Sequence, residues 1–520
     1  MRERNADMNI FFSVLITIIA VAAFCTSLVK FTHFFQLNTY RAAIQTKWMK
    51  ENPSKFFPNI LFGALGIAFS FFDGFAGKVF FSAAMLLGLA LSVPKKAKKP
   101  LVYTMRVKRL FVTSAIIYAV VLLLGFALKS EMLFLSSLFL ISPLVVMLAN
   151  FLNRPVEKAV RNHYINDAKR LISNSNATVI GITGSYGKTS VKYYLSTLLK
   201  AKYNVLMTPE SYNTPMGVVM TIRKSLTSLT EIFVCEMGAK RVGEIKEICD
   251  IVNPDHGIIT SVGPQHLETF KSLDNVKKTK FELADSLPEN GMLFLNGNDE
   301  NINSHKGGRK NISYTVNGNG TYNATDVKVS EKGTTFTVSG PDGENGEFST
   351  KLIGTHNVLN ITGAIAVAHS LGVSFAQLKT QVMRLESVPH RLELVARGRD
   401  IIIDDAFNSN PSGAKAALET LSYFEGMKIL LTPGMVELGE KQNELNMEFG
   451  ENAAKVCDYV ILVGRKQTES INEGLLKAGY SKEKIYIAAD FSEAINHAYS
   501  LNSHGEKKVI LLENDLPDNY

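Results

Sequence analysis

Residues 181–190, with the sequence GITGSYGKTS, combine glycine, lysine and hydroxyl side chains in a spacing that suits phosphate binding. An apolar, β-branched run (178–184) precedes a helical pattern, so the order is strand, glycine-containing turn and helix. Backbone N–H groups in such a turn point at an anion. We expect Lys188 to reach the terminal phosphates of a nucleotide and Thr189 to bind Mg²⁺. Because Ile182 stands where the general pattern has glycine, a chance turn is the competing interpretation.

Two further strands each end near a titratable side chain. Residues 231–239 have a buried-strand pattern with Glu236 at its carboxyl end, and residues 256–270 form another that leads to His266. Ligands gather at the carboxyl ends of strands in parallel sheets, so both side chains are expected near the phosphates. A carboxylate is a hard oxygen ligand for Mg²⁺, whereas imidazole is less usual there. Each residue alone would more often be structural, but with the phosphate loop they favour a metal–nucleotide site.

Further short segments follow the phosphate loop in a set order. They are SYNTPMG (211–217), EMGAKRVGEI (236–245), TSVGPQHLETF (260–270), KKTKFEL (277–283), GTHNVLNITGAIAVA (354–368), PHRLE (389–393), DDAFNSNP (404–411) and GMVELGE (434–440). In this order they resemble the Mur ligase family over roughly residues 176–515. T-G-x-x-G-K-T is that family's own form of the loop, so the resemblance accounts for Ile182.

The resemblance implies an ATP-dependent, ADP-forming acid–amino-acid ligase, similar to the one that adds D-Ala-D-Ala to a peptidoglycan precursor. In such ligases ATP phosphorylates an acceptor carboxylate, and an incoming amine displaces phosphate from the acyl phosphate to form an amide. Catalysis then depends on positioning and on neutralising the charge of the phosphoryl group. The implied cofactors are ATP and two Mg²⁺ ions.

The resemblance also implies the roles of individual residues. The ATP-binding positions are Gly184, Ser185, Gly187, Lys188, Thr189, Ser190, His356, Asn357, Asn360, Arg391 and Asp405. The metal ligands are Thr189, Glu236, His266 and Lys280, and the catalytic residues are Lys188, Lys280, His266 and Arg391. Acceptor binding falls to Asn213 and Thr214, and amine binding to Asp404, Asn408 and Asn410.

Several of these roles have alternatives. Lys280 matches the family lysine that is carbamylated into a carboxylate-like metal ligand, but its neighbours Lys277 and Lys278 also fit an ordinary surface lysine. Asn357 and Asn360 match the adenine-side motif, or they serve as helix-capping residues. Phe407 stands where relatives commonly have tyrosine, which removes a hydroxyl on the amine side.

The amino-terminal region (1–152) is dominated by apolar residues and predicts an α-helical membrane region with about five transmembrane helices. The apolar stretches are 9–29, 56–72, 79–93, 110–128 and 132–152. Lysine and arginine cluster at 30–55, at 94–109 and after the last stretch. With five crossings all three clusters fall on one side, which predicts a multi-pass protein of the bacterial cytoplasmic membrane with the amino terminus outside and the catalytic domains in the cytoplasm.

The fold class expected after this region is α/β. A central phosphate-loop ATPase domain (153–390) carries a β-rich extension at about 296–350, and a Rossmann-like α/β domain (391–520) follows. Soluble family members have a uridine-binding domain before the ATPase domain, and here the membrane region stands in its place. The acceptor, nucleotide-linked or lipid-linked, therefore stays open.

The family resemblance and the apolar region also bear on the partners and on other possible functions. The expected partners are a cell-wall or envelope precursor, an amino acid or dipeptide, and membrane lipid. A ligase or poly-amino-acid synthase for another envelope polymer is the nearest alternative. An ATP-driven transporter is less favoured because Asp73 lies only at the edge of an apolar stretch, so a substrate pathway is not evident. The net charge of +8 follows from topology rather than from nucleic-acid binding, for which no motif is seen.

Overall fold

The computed structural model describes residues 2–72, 74–93, 100–304, 311–407, 410–436 and 438–515. The chain divides between Asn162 and His163 into two compact units, each of which is described by itself.

Long aliphatic and aromatic runs make the first unit helical. Its helices are α1 (Arg2–Leu37), α2 (Ala42–Glu51), α3 (Phe57–Phe69), α4 (Gly74–Ser92), α5 (Met105–Ala127), α6 (Glu131–Leu140) and α7 (Ser142–Ser173), the last of which continues into the second unit. Thr104 begins α5 by accepting a hydrogen bond from the backbone of Val107 at 3.3 Å. Phe31, Phe81 and Phe139 lie at the centre of the packed core.

Within the described residues, three helices are long and apolar enough to cross a membrane: Phe12–Leu37, Gly74–Ser92 and Met105–Ala127. A fourth candidate is the pair α6 and α7, which is bent by 79°. The predicted number of five spans is not confirmed. The stretch 56–72 forms only the 13-residue helix α3, about 20 Å long at 1.5 Å per residue, which is shorter than the ~30 Å hydrocarbon layer.

The second unit contains a nine-stranded sheet in the order β2-β3-β1-β4-β5-β6-β7-β8-β9. In this order, the strands from β2 through β1 to β7 pair in parallel. The last two strands, β8 and β9, add to the sheet in antiparallel fashion. The strands are β1 (Thr178–Thr183), β2 (Val205–Met207), β3 (Ile232–Glu236), β4 (His256–Ile259), β5 (Leu293–Asn296), β6 (Asn311–Val316), β7 (Tyr322–Ser330), β8 (Gly333–Ser339) and β9 (Asn345–Thr350).

Helices cover both faces of this sheet, so its central strands are apolar on both sides, as parallel strands usually are. One face packs against α8 and α14, the other against α10 and α12. The helices are α8 (Lys188–Leu199), α9 (Pro215–Ser225), α10 (Glu244–Val252), α11 (Leu267–Phe270), α12 (Leu273–Asp285), α13 (Glu300–Asn303), α14 (Thr355–Ser370) and α15 (Phe375–Met383).

A second sheet of six strands follows, in the order β10-β11-β15-β12-β13-β14. Its strands are β10 (Glu393–Arg397), β11 (Asp400–Asp405), β12 (Met427–Thr432), β13 (Tyr459–Val463), β14 (Ile485–Ala488) and β15 (Lys508–Glu513). Its helices are α16 (Pro411–Ser422), α17 (Gln442–Ala453), α18 (Glu469–Lys477) and α19 (Phe491–Ser500). Short 3₁₀ turns lie at Pro53–Lys55, Pro341–Gly343, Gly439–Lys441 and Lys482–Lys484.

The α/β class expected for the part after the membrane region is confirmed. The strands β6 to β9 do not form a separate layer but lengthen the first sheet at one edge. In the second sheet, β10 pairs antiparallel with β11, whereas the other strands pair in parallel. Both sheets present the carboxyl ends of their parallel strands as candidate ligand sites.

Candidate active site

The phosphate loop joins the end of β1 to the start of α8, and two of its positions require glycine. Gly187 precedes the helix with φ 78°, and Gly184 has φ 153°. A Cβ atom at Gly184 would lie 2.1 Å from Thr260 Oγ1, and one at Gly187 would lie 2.7 Å from Asn360 Oδ1. A side chain at either position would therefore force its neighbours apart, and Asn360 lies against the loop.

The side chain of Lys188 points back over the phosphate loop. Its Nζ donates to the carbonyl oxygens of Gly184 at 2.7 Å and Ser185 at 3.0 Å. Burial lowers the pKa of Lys188 to about 8 against the opposing effect of Glu236. The Ser185 hydroxyl donates to the carbonyl of Gly263 and accepts from its N–H, both at 3.0 Å, which fixes the loop to the chain after β4.

Glu236 is the centre of the site, at the carboxyl end of β3 and 1% exposed. Its Oε1 accepts hydrogen bonds from Thr189 Oγ1 at 3.1 Å and from Asn213 Nδ2 at 2.9 Å. Its Oε2 lies 3.1 Å from Lys192 Nζ. Burial alone would raise the pKa of Glu236, but the charges of Lys192 and Lys188 outweigh it and hold the pKa below its ordinary value. The carboxylate is therefore ionised at neutral pH.

His266 and Lys280 come from the elements that follow β4. His266 has φ 50° and begins the short helix α11, half-buried. Lys280 lies on α12 and is 1% exposed, so it is not the ordinary surface lysine of the alternative interpretation. In the described part of the chain, no hydrogen bond or ion pair of the Lys280 side chain is seen. Burial, and next the charge of Lys188, lower its pKa well below the usual value.

On the adenine side, His356 and Asn357 lie in the first turn of α14. Nδ1 of His356 is buried and has no hydrogen-bond partner among the described residues. Burial lowers the pKa of this side chain to about 4. Asn357 accepts from the Tyr194 hydroxyl at 2.7 Å and donates to the carbonyl of Ile353 at 2.9 Å. Gly354, not an asparagine, occupies the N-cap position of α14. Asn357 therefore fixes the helix to α8 rather than capping it.

Arg391, Asp404 and Asp405 contribute from the second sheet and the chain leading to it. The guanidinium of Arg391 lies 4.8 Å from the centre of the Phe407 ring, and it interacts electrostatically with Glu236 and Asp405. Burial raises the pKa of Asp405 to about 6. Asp404 Oδ2 lies 2.8 Å from His390 Nδ1.

Two expected binding residues have structural contacts of their own. The side chain of Asn410 accepts from the N–H of Gly413 at 2.9 Å and caps α16. Thr214 caps α9 in the same way, through the N–H of Gly217 at 3.2 Å. Ser190 lies in the first turn of α8 and is half-buried. Asn408 lies outside the described residues.

The sequence predicted Thr189 and Glu236 as metal ligands and Asn213 as an acceptor residue, and the structure places the three side chains in contact. The sequence analysis did not single out Lys192, which is fully buried beside them. A signal was present, because Lys192 follows Lys188 by four residues and so lies on the same face of a helix. The set of donors fits a magnesium nucleotide. It comprises a hydroxyl, an ionised carboxylate, a glycine turn at the start of a helix and the unpartnered imidazole nitrogen of His356.

Comparisons with known proteins agree with this geometry. The family model described as Mur ligase middle domain matches residues 182–368, and the model described as Mur ligase, glutamate ligase domain, matches residues 390–512. A UDP-N-acetylmuramoyl-tripeptide–D-alanyl-D-alanine ligase of Escherichia coli K12 is 33% identical over 302 residues, which cover 57% of this chain and 66% of that protein. A protein of the same name from Bacillus subtilis 168 is 32% identical over 322 residues, covering 61% and 69%.

Among solved structures, the MurF ligase of Thermotoga maritima in complex with ADP superposes with a TM-score of 0.60 at 28% identity, covering 68% of this chain and 80% of that structure. The chain spans about two thirds of the length of the two curated relatives. The matched domains, the order of the motifs and the superposition lead to one conclusion. The chain belongs to the Mur ligase family.

Proposed function

We propose that this protein is an ATP-dependent, ADP-forming ligase that joins a carboxylate to an amine through an acyl phosphate. The observation that carries the proposal is the contact of Thr189 and Asn213 with one oxygen of the buried Glu236, beside the phosphate loop. Two of the proposed magnesium ligands, Thr189 and Glu236, and the proposed acceptor residue Asn213 share one hydrogen-bond network, which supports the proposal.

The residues of the site suit phosphoryl transfer, which needs positioning and charge neutralisation more than covalent help. Magnesium, when bound, would neutralise phosphate charge. Thr189, Glu236, His266 and Lys280 would hold the ions. Backbone N–H groups of 184–190 would cradle the phosphates, and Lys188 would move from the loop carbonyls to the phosphate oxygens. Arg391 would clamp the γ-phosphate.

We further propose that Lys280 is carbamylated. An amine reacts with CO₂ only when it is neutral, and burial lowers the pKa of Lys280 well below its usual value. A buried ammonium without a partner would be costly, whereas a carbamate would carry the negative charge that a metal site requires. This modification would turn an unfavourable cation into a ligand.

For the substrates, the names of the relatives support a UDP-muramoyl tripeptide as acceptor and D-Ala-D-Ala as amine. Asn213 and Thr214 would face the acceptor. Asp404, Asn408 and Asn410 would face the amine.

We propose that the first unit anchors the enzyme in the bacterial cytoplasmic membrane with the second unit in the cytoplasm. Three apolar helices of sufficient length support this, together with the basic residues that flank them. The domain limits that we propose are 1–152, 153–390 and 391–520.

An apolar helical unit ahead of the phosphate-loop domain also favours a second candidate, a ligase that acts on a lipid-linked precursor or on another envelope polymer.

Phosphate release by the detergent-solubilised protein with ATP and Mg²⁺ tests these alternatives. The acceptors are UDP-muramoyl tripeptide and lipid-linked muramoyl peptides, and the amines are D-Ala-D-Ala and single amino acids. Release that needs UDP-muramoyl tripeptide and D-Ala-D-Ala is the expected result. Release only with a lipid-linked acceptor would favour the second candidate, and no release with any pair would reject a ligase of cell-wall peptides.

A further inference from the structure

Lys192 is a buried cation for which the proposed chemistry has no use. It lies on α8, one turn after Lys188, and its side chain is 0% exposed. Its Nζ lies 3.1 Å from Glu236 Oε2 and donates a hydrogen bond to the backbone carbonyl of Glu210. A buried ammonium is costly unless it is paired and hydrogen-bonded. These two contacts supply that compensation, and they join two different parts of the chain.

The second of these parts is the loop 208–214, between β2 and α9. It contacts Glu236 at two more points. The N–H of Glu236 donates to Thr208 Oγ1 at 3.0 Å, and Asn213 Nδ2 donates to Glu236 Oε1 at 2.9 Å. The carbonyl of Asn213 accepts from the N–H of Gly238 at 2.7 Å, in the turn that follows Glu236. Glu236 therefore contacts the loop near both of its ends, at Thr208 and Asn213, and Lys192 contacts it between them, at Glu210.

The two carboxylate oxygens of Glu236 are used differently. Oε1 accepts hydrogen bonds from both Thr189 and Asn213. Oε2 forms an ion pair with Lys192, whose Nζ also donates a hydrogen bond to the backbone carbonyl of Glu210 in the loop. The ion pair with Lys192 thus uses the carboxylate oxygen that Thr189 and Asn213 do not contact.

We propose that Lys192 is a positioning residue that couples the metal-binding carboxylate of Glu236 to the loop 208–214. It fixes the orientation of the carboxylate, as groups behind metal ligands commonly do, and it holds the loop that carries Asn213 and Thr214. The proposal rests on the proposed function, since the loop is assigned to the acceptor there. Its consequence is that occupancy of the nucleotide site sets the order of the acceptor loop.

Hydrogen–deuterium exchange on the full-length protein in detergent tests this coupling without turnover. Backbone exchange in residues 208–214 is measured with and without Mg²⁺ and a non-hydrolysable ATP analogue. The comparison covers the native chain, Lys192→Met and the matched control Lys200→Met, an exposed lysine at the end of the same helix. We expect Lys192→Met to raise exchange in the loop by at least about tenfold while the core of α8 and β3 stays protected. Lys200→Met should leave the loop unchanged.

The exchange and turnover results can each contradict the proposed role of Lys192. Loop exchange in Lys192→Met equal to that of Lys200→Met would overturn the proposal. If Lys192→Met does not fold, the native chain decides, because loop exchange that does not respond to the magnesium nucleotide would also overturn it. In the turnover assay we expect the acceptor KM of Lys192→Met to rise about tenfold more than the KM for ATP. Absence of turnover by the native chain would reject the ligase function, while the exchange result would still test the coupling.

Discussion

At the scale of single residues, the site uses burial to set the charge of its lysines. Lys188 and Lys192 interact with the carboxylate of Glu236, Lys280 interacts with Lys188, and burial lowers the pKa of all three lysines. Only Lys192 is ion-paired with Glu236 in the described residues. The three lysines therefore differ in their partners, and this difference supports the three roles that we propose for them: phosphate contact, positioning and carbamylation.

Replacement of Lys280 by alanine tests the carbamylation. We expect turnover to fall by about 10- to 100-fold, as for the loss of groups that support a metal site, and added bicarbonate should not restore it. Lys278→Ala is the matched control, since Lys278 is exposed on the same helix. Steady-state phosphate release measures both variants. Turnover of Lys280→Ala equal to that of the control would end the carbamate assignment.

The lowered pKa of Lys188 predicts proton uptake when a nucleotide binds. With a pKa of about 8, the amine is largely neutral above pH 8, and a phosphate beside it restores the charged form. We expect uptake of about half a proton near pH 8, more at pH 9 and almost none at pH 6.5. Calorimetric titration in buffers of different ionisation enthalpy measures this. Uptake that is the same in Lys188→Met would assign the proton to another group.

At the scale of elements, the starts of helices hold the binding residues in place. The glycine turn positions α8, while Thr214 and Asn410 cap α9 and α16. The side chain of Asn410, which is expected to contact the amine, thus already uses its carbonyl oxygen to cap α16. Capping by asparagine typically stabilises a helix by about 1 kcal/mol over alanine.

Variants at Asn410 separate the two roles. Asn410→Ala should lower the free energy of unfolding by about 1 kcal/mol, and Asn410→Ser should retain most of it because serine also caps. If Asn410 also contacts the amine, both variants raise the amine KM. Denaturant unfolding and steady-state kinetics give the two values. An amine KM that is unchanged in Asn410→Ser would mean that Asn410 caps the helix but does not contact the amine.

At the scale of the whole molecule, the phosphate loop, Glu236 and both sheets belong to the unit that begins at His163. The apolar helices of sufficient length begin in the other unit. We therefore expect a fragment of residues 163–520 to bind a magnesium nucleotide with a Kd within about threefold of that of the full chain. This ratio corresponds to a difference in binding free energy of less than about 1 kcal/mol.

The same fragment tests the membrane anchor. After washing at alkaline pH, the full chain should sediment with membranes, because burial of long apolar helices in lipid does not depend on salt or peripheral charge. The fragment should stay in the supernatant. Immunoblotting of the two fractions is the measurement, and a full chain released by the wash would contradict a membrane-spanning first unit.

The sequence alone determined which side chains follow the strands and where the phosphate loop lies. Those features are local: a glycine turn between a β-branched run and a helical pattern, and apolar strands that end at Glu236 or lead to His266. The α/β class followed from the same alternation. The number of membrane spans did not, because helix breaks such as the 79° bend after Leu140 depend on packing between helices.

Only the tertiary structure decided the contacts around Glu236. The parallel register of β1 and β3 sets Ile182 opposite Glu236, which brings the carboxylate beside the phosphate loop and within reach of Lys192. Register arises from the fit of two buried faces and not from spacing along one strand. Spacing placed Lys192 on the same helical face as Lys188, but it could not show that this face meets a carboxylate and the carbonyl of Glu210.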